Sequence, residues 1–253
     1  MKVEEAQQTT KADLGPTSAA KKEKGVQGKP GAGADHKRES PAERFARMAE
    51  PERQLQASGY CRVAGIDEAG RGPLAGPVYA AAVVLDPDRP IIGLNDSKRL
   101  SPKKREQLAA LIRTEALAWG IGFSTAAEID RDGILPATLS AMQRALSGLP
   151  LEPDYLLFDY ITGYKADRPA AFIKKGDAFA NCIAAASILA KVSRDRYMQV
   201  LEEKLPGYGF AQHKGYGTAS HYEALDRLGP SVEHRHSFLK NWQKGGRHQH
   251  KKG

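Results

Sequence analysis

Cysteine and aromatic residues are scarce in this sequence of 253 residues. It contains only two cysteines, Cys61 and Cys182, and aromatic residues make up 7% of the chain. The two cysteines form no closely spaced pair and lie among apolar residues, so we expect small buried side chains at both positions. A fold that depends on a disulfide or on cysteine-bound zinc is therefore not expected.

Long uncharged stretches are also missing. The two longest, residues 73–85 and 178–190, contain 13 residues each, whereas a membrane-spanning helix needs about 18. The first residues include Lys2, Glu4 and Glu5 and lack the apolar region of a signal peptide. We expect a cytoplasmic protein that does not enter the membrane.

The net charge of +8 is concentrated at one end of the chain. Residues 1–59 carry 11 basic and 9 acidic groups, residues 60–239 carry 22 and 21, and residues 240–253 carry 5 and none. A basic tail suits a polyanionic partner such as nucleic acid, or it merely aids solubility. The nearly neutral remainder argues against a protein that coats DNA by charge alone.

Composition divides the chain into three parts. Residues 1–40 contain four large apolar side chains and no aromatic one, too few to offset the entropy lost on ordering. We expect a disordered low-complexity leader over residues 1–59 and a basic disordered tail over residues 243–253. Between them, residues 60–242 form the folded domain, with a helical C-terminal part from about residue 205.

The hydrophobic pattern of the folded part predicts alternating strands and helices. Three strands with short early connections favour an antiparallel meander, and two later strands separated by helices favour parallel additions. The expected fold class is α/β, a five-stranded mixed sheet flanked by helices. The predicted strands are residues 62–66, 78–85, 119–126, 155–158 and 171–174, and the predicted helices begin at Pro102 and cover 134–149, 179–205, 219–228 and 232–242.

Acidic residues follow three of the predicted strands. Asp67 and Glu68 come after the first strand and precede Gly70 and Gly72, so the strand must break there for both carboxylates to converge. Asp159 follows the fourth strand, and Asp177 follows the fifth. Taken singly, each has an ordinary alternative: an exposed acidic turn, the end of a strand, or a helix N-cap.

Together, four carboxylates without a matching group of histidines or cysteines describe a site made of oxygen ligands. Such a site suits Mg²⁺ or Mn²⁺, and two such ions can promote phosphoryl displacement. A dinucleotide-binding loop is excluded at residues 70–76, because the third glycine is one position too far along and a strand follows.

Five stretches in register resemble ribonuclease HII: GIDEAGRGPLAGPV at 65–78, LNDSKRLSPKKR at 94–105, LFDY at 157–160, KKGDAFANCIAAASILAKVSRDR at 174–196 and YGFAQHKGYGTASH at 208–221. The resemblance covers about residues 63–238. It implies a ribonuclease H-like fold with a helical C-terminal part along the substrate groove. It departs from many relatives at Tyr160, where they have glycine.

The resemblance also implies a reaction. The enzyme would cut the RNA strand of RNA/DNA hybrids and single ribonucleotides embedded in duplex DNA, on the 5′ side of the ribonucleotide, leaving 3′-hydroxyl and 5′-phosphate ends. Two divalent cations, Mn²⁺ or Mg²⁺, would take part, and we expect a monomer. The implied catalytic and metal-binding residues are Asp67, Glu68, Asp159 and Asp177.

The substrate-binding residues implied by the resemblance fall into two groups. Gly70, Arg71 and Gly72 would contact the 2′-hydroxyl and the adjacent phosphate through their backbone, and the two glycines, which lack a Cβ atom, favour so close an approach. Tyr216 would pack on the sugar beside the scissile junction; otherwise it is a half-buried aromatic residue. The supporting candidates for phosphate contact are Ser97, Lys98, Ser187, Lys191 and Arg194, of which the last three lie on one helix face and could instead pair locally.

Two alternatives remain open at this stage. One is a DNA-cutting nuclease or recombinase of the same fold, and the other is a non-catalytic nucleic-acid-binding module supported only by the basic tail. The histidines, including His213, His221 and His234, are interpreted as hydrogen-bonded scaffold rather than metal ligands.

Overall fold

A mixed sheet of five strands forms the centre of the protein. The computed structural model describes residues 39–243, and the sheet order is β3-β2-β1-β4-β5. β1 pairs antiparallel with β2 and β2 with β3, whereas β1 pairs parallel with β4 and β4 with β5. The predicted meander with two parallel additions is therefore confirmed. The strands are β1 (Val63–Ala69), β2 (Val78–Val84), β3 (Ala118–Ser124), β4 (Tyr155–Asp159) and β5 (Ala170–Ile173).

Helices cover both faces of the sheet. In chain order they are α1 (Pro41–Met48), α2 (Glu50–Ala57), α3 (Pro102–Glu115), α4 (Ala126–Asp132), α5 (Ile134–Ser147), α6 (Asn181–Lys204), α7 (Phe210–His213), α8 (Ala219–Leu228) and α9 (Lys240–Gln243). Short 3-10 turns occur at Ser97–Arg99, Gly176–Ala178 and His236–Phe238. Within residues 39–243, none of these helices has the length and apolarity needed to cross a bilayer.

Alternating side chains of the strands supply the two core layers. On β2, Ala81 and Val83 pack with α3 and α6, whereas Ala80 and Ala82 pack with α5 on the opposite face. This alternation follows from the two-residue period of a strand. Asp67 pairs with Ala81, so it lies on the α6 side of the sheet, whereas Glu68 pairs with Ala80 and lies on the α5 side.

Small residues bring α6 unusually close to the sheet. A Cβ atom placed on Gly65 of β1 would lie 2.1 Å from the backbone carbon of Cys182. Only glycine fits where two backbones approach so closely. Cys182 is buried, as expected, whereas Cys61 is exposed, which corrects the expectation for that residue; both are free thiols.

The end of the expected disordered leader is helical, and this corrects the boundary at residue 59. α1 and α2 occupy residues 41–57 and contribute Met48 and Leu55 to the core. Ser40 caps α1 in a reciprocal capping box with Glu43. Burial of a few apolar side chains, rather than overall composition, holds these short helices in place. Residues 1–38 and 244–253, which include almost all of the expected tail, lie outside the described residues.

We expect Met48→Ala to lower the free energy of unfolding by about 2–5 kcal/mol, because this fully buried side chain packs against the α3 and α6 layer. Gln56→Ala is the matched control, since Gln56 is exposed in the adjoining helix and should change stability by less than about 0.5 kcal/mol. Urea unfolding of both variants measures the difference. Equal small effects would mean that α1 and α2 do not belong to the folded core.

The predicted helix over residues 232–242 is wrong. The chain there makes an isolated bridge between Ala75 and His234, a 3-10 turn and the four-residue helix α9. The backbone N–H of Arg235 donates to the carbonyl of Leu74 at 2.8 Å, and that of Gly76 donates to the carbonyl of Glu233 at 2.8 Å. Pairing with the loop after β1 replaces helical hydrogen bonds. The helix α4 was not predicted from the sequence either.

Candidate active site

Three carboxylates meet at one edge of the sheet. Asp67 lies in β1, Asp159 ends β4, and Asp177 lies in the turn that follows β5. One oxygen of each lies within 4.8 Å of the other two. These three strands are parallel neighbours, so their carboxyl ends reach the same edge. The fold thus gathers acidic side chains from distant parts of the sequence.

Backbone N–H groups hold this cluster in place. One oxygen of Asp159, Oδ1, accepts hydrogen bonds from the N–H of Tyr160 at 2.9 Å and of Gly176 at 2.8 Å. The second bond ties the end of β4 to the turn that carries Asp177. The N–H of Glu68 donates to Oδ1 of Asp67 at 2.7 Å. The carboxylates of Asp67 and Asp159 are therefore oriented by backbone hydrogen bonds.

Negative charge is in excess in the cluster. Burial, with the nearby carboxylates of Glu68 and Asp159, holds the pKa of Asp67 well above its usual value, although a hydrogen bond from Ser187 opposes this. Burial, with Asp96 and Asp159, raises the pKa of Asp177 to about 6. A cation bound between these groups would favour their charged forms. The set offers only carboxylate oxygen, so its chemistry fits hard divalent ions such as Mg²⁺ and Mn²⁺.

Glu68 stands beside the three-carboxylate cluster rather than in it. β1 continues without a break to Ala69, so the strand break expected between the two acids is absent. Oε1 of Glu68 lies 3.4 Å from Nη1 of Arg71. Burial raises the pKa of Glu68, Arg71 opposes the shift, and Asp159 adds to it. The expectation of four converging carboxylates is thus corrected to three. The fourth, Glu68, is close enough for the charge of Asp159 to affect its pKa.

A lysine and a further aspartate adjoin the cluster. Partial burial opposes the shift, but the carboxylates of Asp177, Asp96, Asp67 and Asp159 raise the pKa of Lys98. Asp96 caps the short turn that carries Lys98, accepting its backbone N–H at 2.8 Å. Sequence reasoning missed Asp96. The only available signal was its place beside Ser97 and Lys98, because no strand precedes it directly.

A shallow surface made by Arg71, Gly72 and Tyr216 lies next to Glu68. Arg71 and Gly72 are exposed, and within residues 39–243 the backbone N–H of neither has a hydrogen-bond partner. The exposed ring of Tyr216 lies 3.8 Å from the position of a Cβ atom placed on Gly72. Gly70 is buried beneath them. Two unpaired donors and an aromatic face thus stand together beside the carboxylates.

Comparison with known sequences decides the family. The model of the family Ribonuclease HII matches residues 64–241. The chain belongs to the ribonuclease HII family. Ribonuclease HII of Geotalea uraniireducens (strain Rf4) is 53% identical over 198 residues, which cover 78% of this chain and 92% of that protein. Ribonuclease HII of Dechloromonas aromatica (strain RCB) is 56% identical over 176 residues, covering 70% of this chain and 90% of that protein.

Solved structures agree with the family. The ribonuclease H2 of Pyrococcus horikoshii OT3 superposes with a TM-score of 0.62 at 27% identity, covering 73% of this chain and 96% of that one. The ribonuclease HII in a complex with PCNA from Archaeoglobus fulgidus gives a TM-score of 0.59 at 27% identity, covering 72% and 94%. The resemblance and the ribonuclease H-like fold expected from the sequence are confirmed. The chain is thus a ribonuclease H, an endonuclease that acts on nucleic acid with the help of divalent metal ions.

Three of the five residues expected to contact phosphate in this ribonuclease are buried: Ser97, Ser187 and Arg194. Arg194 is 1% exposed and donates to the carbonyls of Pro77, Lys214 and Ala75, which corrects its expected role because it cannot reach a phosphate. Ser187 is buried as well, and its hydroxyl oxygen lies 3.0 Å from that of Ser97. These side chains support the site from within the fold.

The remaining candidates differ in their accessibility. Ser97 is buried with Ser187, whereas Lys98 is exposed beside the carboxylates. Nζ of Lys191 is partly buried and pairs with Asp195 at 2.7 Å, the local pairing that the sequence left open. Lys98 is therefore the best placed of the five for a phosphate.

A chain of histidines supports the loop that carries Tyr216. The N–H of Ser231 donates to Nδ1 of His234 at 2.9 Å, and Nδ1 of His221 contacts the carbonyl of Tyr216 at 2.9 Å. The two Nε2 atoms lie 3.1 Å apart. Because a carbonyl only accepts and an amide only donates, His221 carries its proton on Nδ1, and His234 carries its proton on Nε2 and donates it to His221.

We expect both histidines to be neutral, in these tautomers, down to about pH 5. Burial lowers the pKa of each to about 4, so the folded protein takes up protons less readily than the unfolded chain, whose histidines titrate near pH 6.5. Their contribution to stability is therefore complete above pH 6.5 and is lost as the pH falls toward 4. Long-range ¹H–¹⁵N spectra of the imidazoles would detect the tautomers. Titration of either ring near pH 6.5 would contradict the arrangement.

Proposed function

We propose that this ribonuclease hydrolyses the RNA strand of RNA/DNA hybrids and single ribonucleotides embedded in duplex DNA. The cut falls on the 5′ side of the ribonucleotide and leaves 3′-hydroxyl and 5′-phosphate ends. The observation that carries the proposal is that the backbone N–H groups of Arg71 and Gly72, which have no partner within residues 39–243, lie in the loop directly after Asp67 and Glu68. A reacting phosphate at the carboxylates would place its ribose against those donors.

In this proposal the four acidic residues share the task of holding two divalent cations. Asp67, Asp159 and Asp177 supply the converging oxygens, and Glu68 adds its carboxylate from the side. Held by these residues, two such cations would supply activation of the attacking water and stabilisation of the leaving oxygen. The backbone N–H groups of Tyr160 and Gly176 keep Asp159 oriented throughout.

The backbone N–H groups of Arg71 and Gly72 select ribose. A 2′-hydroxyl offers an acceptor that deoxyribose lacks, so hydrogen bonds to it separate RNA from DNA. The exposed ring of Tyr216 packs on the sugar beside the cut, and Lys98 contacts a phosphate near the carboxylates. We propose a monomer as the active form, because all of these groups come from one chain.

The test uses a DNA duplex that contains one ribonucleotide and the same duplex in DNA throughout. We expect cleavage of the first alone, at the phosphodiester bond 5′ of the ribonucleotide, with Mg²⁺ or Mn²⁺ and none in EDTA. A sequencing gel maps the cut, and parallel reactions show which ion supports the faster rate. Equal cleavage of both duplexes would instead indicate a DNA nuclease, and binding without cleavage would indicate a non-catalytic module.

A further inference from the structure

A buried arginine near the C-terminus grips the loop that follows β1. Arg235 is fully buried, and its guanidinium donates four hydrogen bonds, all to backbone carbonyls of that loop. Nη2 donates to Gly70 at 2.7 Å, Nη1 donates to Arg71 at 3.0 Å and to Pro73 at 2.8 Å, and Nε donates to Gly76 at 2.9 Å. One side chain thus determines the direction of four peptide groups within seven residues.

These four bonds decide where the neighbouring N–H groups point. In a trans peptide the C=O of one residue and the N–H of the next lie in one plane and point in opposite directions, and the described residues contain no cis peptide bond. The carbonyls of Gly70 and Arg71 turn inward to Arg235. The N–H groups of Arg71 and Gly72 therefore turn outward, and neither has a hydrogen-bond partner within residues 39–243.

The four hydrogen bonds from Arg235 to the loop after β1, called the clamp below, also connect to the loop that carries Tyr216. The carbonyl of Pro73 accepts from Arg235, and the N–H on the other side of that peptide, from Leu74, donates to the carbonyl of Gly215 at 2.8 Å. Arg235 thereby fixes the N–H groups of Arg71 and Gly72 in position relative to the loop that carries the ring of Tyr216.

A second buried arginine supports the loop from α6. Arg194 donates to the carbonyls of Ala75 at 3.1 Å and of Pro77 at 3.0 Å, and it packs directly under Gly70. Burial, with the nearby charge of Arg194, lowers the pKa of Arg235 to about 9, so Arg235 still carries its charge at neutral pH. Burying two guanidinium groups that are held mainly by carbonyls costs desolvation free energy. This cost favours a role for Arg194 and Arg235 other than packing.

We infer that Arg235 is a positioning residue for ribose recognition: by binding the carbonyls of Gly70 and Arg71, it points the N–H groups of Arg71 and Gly72 at the 2′-hydroxyl of the substrate. The inference rests on the proposed function. Arg235 touches neither the substrate nor the metal site, and it acts through the backbone alone.

Arginine suits this task better than lysine. Its guanidinium presents five N–H donors in a fixed plane, of which Arg235 uses four, whereas lysine has three donors on a single nitrogen. Arg235→Lys keeps the positive charge but cannot reach all four carbonyls. The peptides at Gly70 and Arg71 then lose their fixed orientation.

The experiment measures the affinities of wild type and Arg235→Lys for two duplexes of one sequence, one with a single ribonucleotide and one of DNA throughout. Fluorescence anisotropy is recorded with Ca²⁺ in place of Mg²⁺, after cleavage has been shown to be absent. Misfolding of part of the protein weakens both affinities by the same factor, so their ratio reports ribose recognition alone. We expect a clear wild-type preference for the ribonucleotide and a loss of about tenfold in the variant, the equivalent of one or two oriented hydrogen bonds.

Tyr197→Phe is the matched control. The hydroxyl of Tyr197 donates to the side chain of Glu233 at 2.9 Å. Its loss removes a side-chain contact of the C-terminal segment but none of the backbone bonds next to Arg235, so the preference should stay at the wild-type level. An unchanged preference in Arg235→Lys, or an equal loss in the control, would overturn the inference and leave the proposed function standing. A wild type with no preference would instead overturn the proposed reading of the 2′-hydroxyl, and the inference with it.

If Arg235→Lys does not fold, Asp130→Asn tests whether the position of Arg235 determines the preference for the ribonucleotide. Asp130, in α4, accepts the backbone N–H groups of His236 at 2.8 Å and Ser237 at 2.9 Å and so anchors the segment next to Arg235. Asparagine turns an N–H₂ group toward one of these donors, and we expect a loss of ribose preference of about threefold. An unchanged preference in this folded variant would count against the clamp.

Discussion

Asp67→Asn is expected to lower the rate of cleavage by at least about 10², the size of typical effects when a single catalytic group is removed, while the metal-free protein becomes no less stable. The pKa of Asp67 is raised by burial and by Glu68 and Asp159, so its charged form is unfavourable in the folded state at neutral pH. Asparagine has nearly the same shape and removes that charge. Activity and stability should therefore change in opposite directions.

Single-turnover cleavage at saturating enzyme measures the first effect, and thermal unfolding in EDTA measures the second. Asp88→Asn is the matched control, because Asp88 is an exposed carboxylate away from the cluster and should alter neither quantity. Added Mn²⁺ should raise the unfolding temperature of wild type more than that of Asp67→Asn, since binding to the folded state stabilises it. An unchanged cleavage rate in Asp67→Asn would remove Asp67 from the proposed metal site.

The acidic cluster could be predicted because each of its aspartates is recognisable from the few residues that precede it in the sequence. An aspartate that ends or follows an apolar strand is visible in the sequence, and parallel strands bring such ends to one edge. This reasoning located Asp67, Asp159 and Asp177. It placed Glu68 too close, because whether a strand continues through two adjacent acids depends on its partner strand, here β2. The sequence alone does not contain that pairing.

The two buried arginines show where sequence reasoning stops. Arg194 follows Ser187 and Lys191 on one face of a helix, and this spacing left open either phosphate contact or local pairing. Whether a helix face meets solvent or a second loop is decided by tertiary packing, and here the loop after β1 covers it. Arg235 lies in a stretch interpreted as helix, where its four backbone contacts could not be foreseen. Side-chain contacts with distant carbonyls leave no periodic pattern.

The helices before β1 were missed for a related reason. Residues 41–57 are mostly polar, so composition grouped them with the leader. Besides the burial of Met48 and Leu55, two hydrogen bonds hold them to α6: the side chain of Asn181 donates to the carbonyl of Phe45 at 2.9 Å, and the carboxylate of Glu52 accepts the N–H of Cys182 at 2.7 Å. Glu52 thus caps the first turn of α6, as a negative group does favourably at a helix N-terminus.

Gly70→Ala is expected to destabilise the protein by more than about 4 kcal/mol and to abolish selective cleavage at ribonucleotides. Gly70 has a φ of +95°, and a Cβ atom there would lie 2.0 Å from Nε of Arg194. Arg194 is held by three carbonyls and cannot move aside without leaving buried acceptors unpaired, each at a cost of about 1–3 kcal/mol. Urea unfolding and the duplex cleavage assay measure the two effects.

Gly59→Ala separates the two causes of the stability loss in Gly70→Ala, which are backbone strain at positive φ and the contact with Arg194. Gly59 has the same φ of +95°, but a Cβ atom there would meet nothing within 4 Å, so its substitution should cost only the backbone strain of about 1–2 kcal/mol. The excess in Gly70→Ala then measures the contact with Arg194. Equal losses in the two variants would show that the loop after β1 can shift away from Arg194, in which case the arginines do not fix the outward direction of the Arg71 and Gly72 donors.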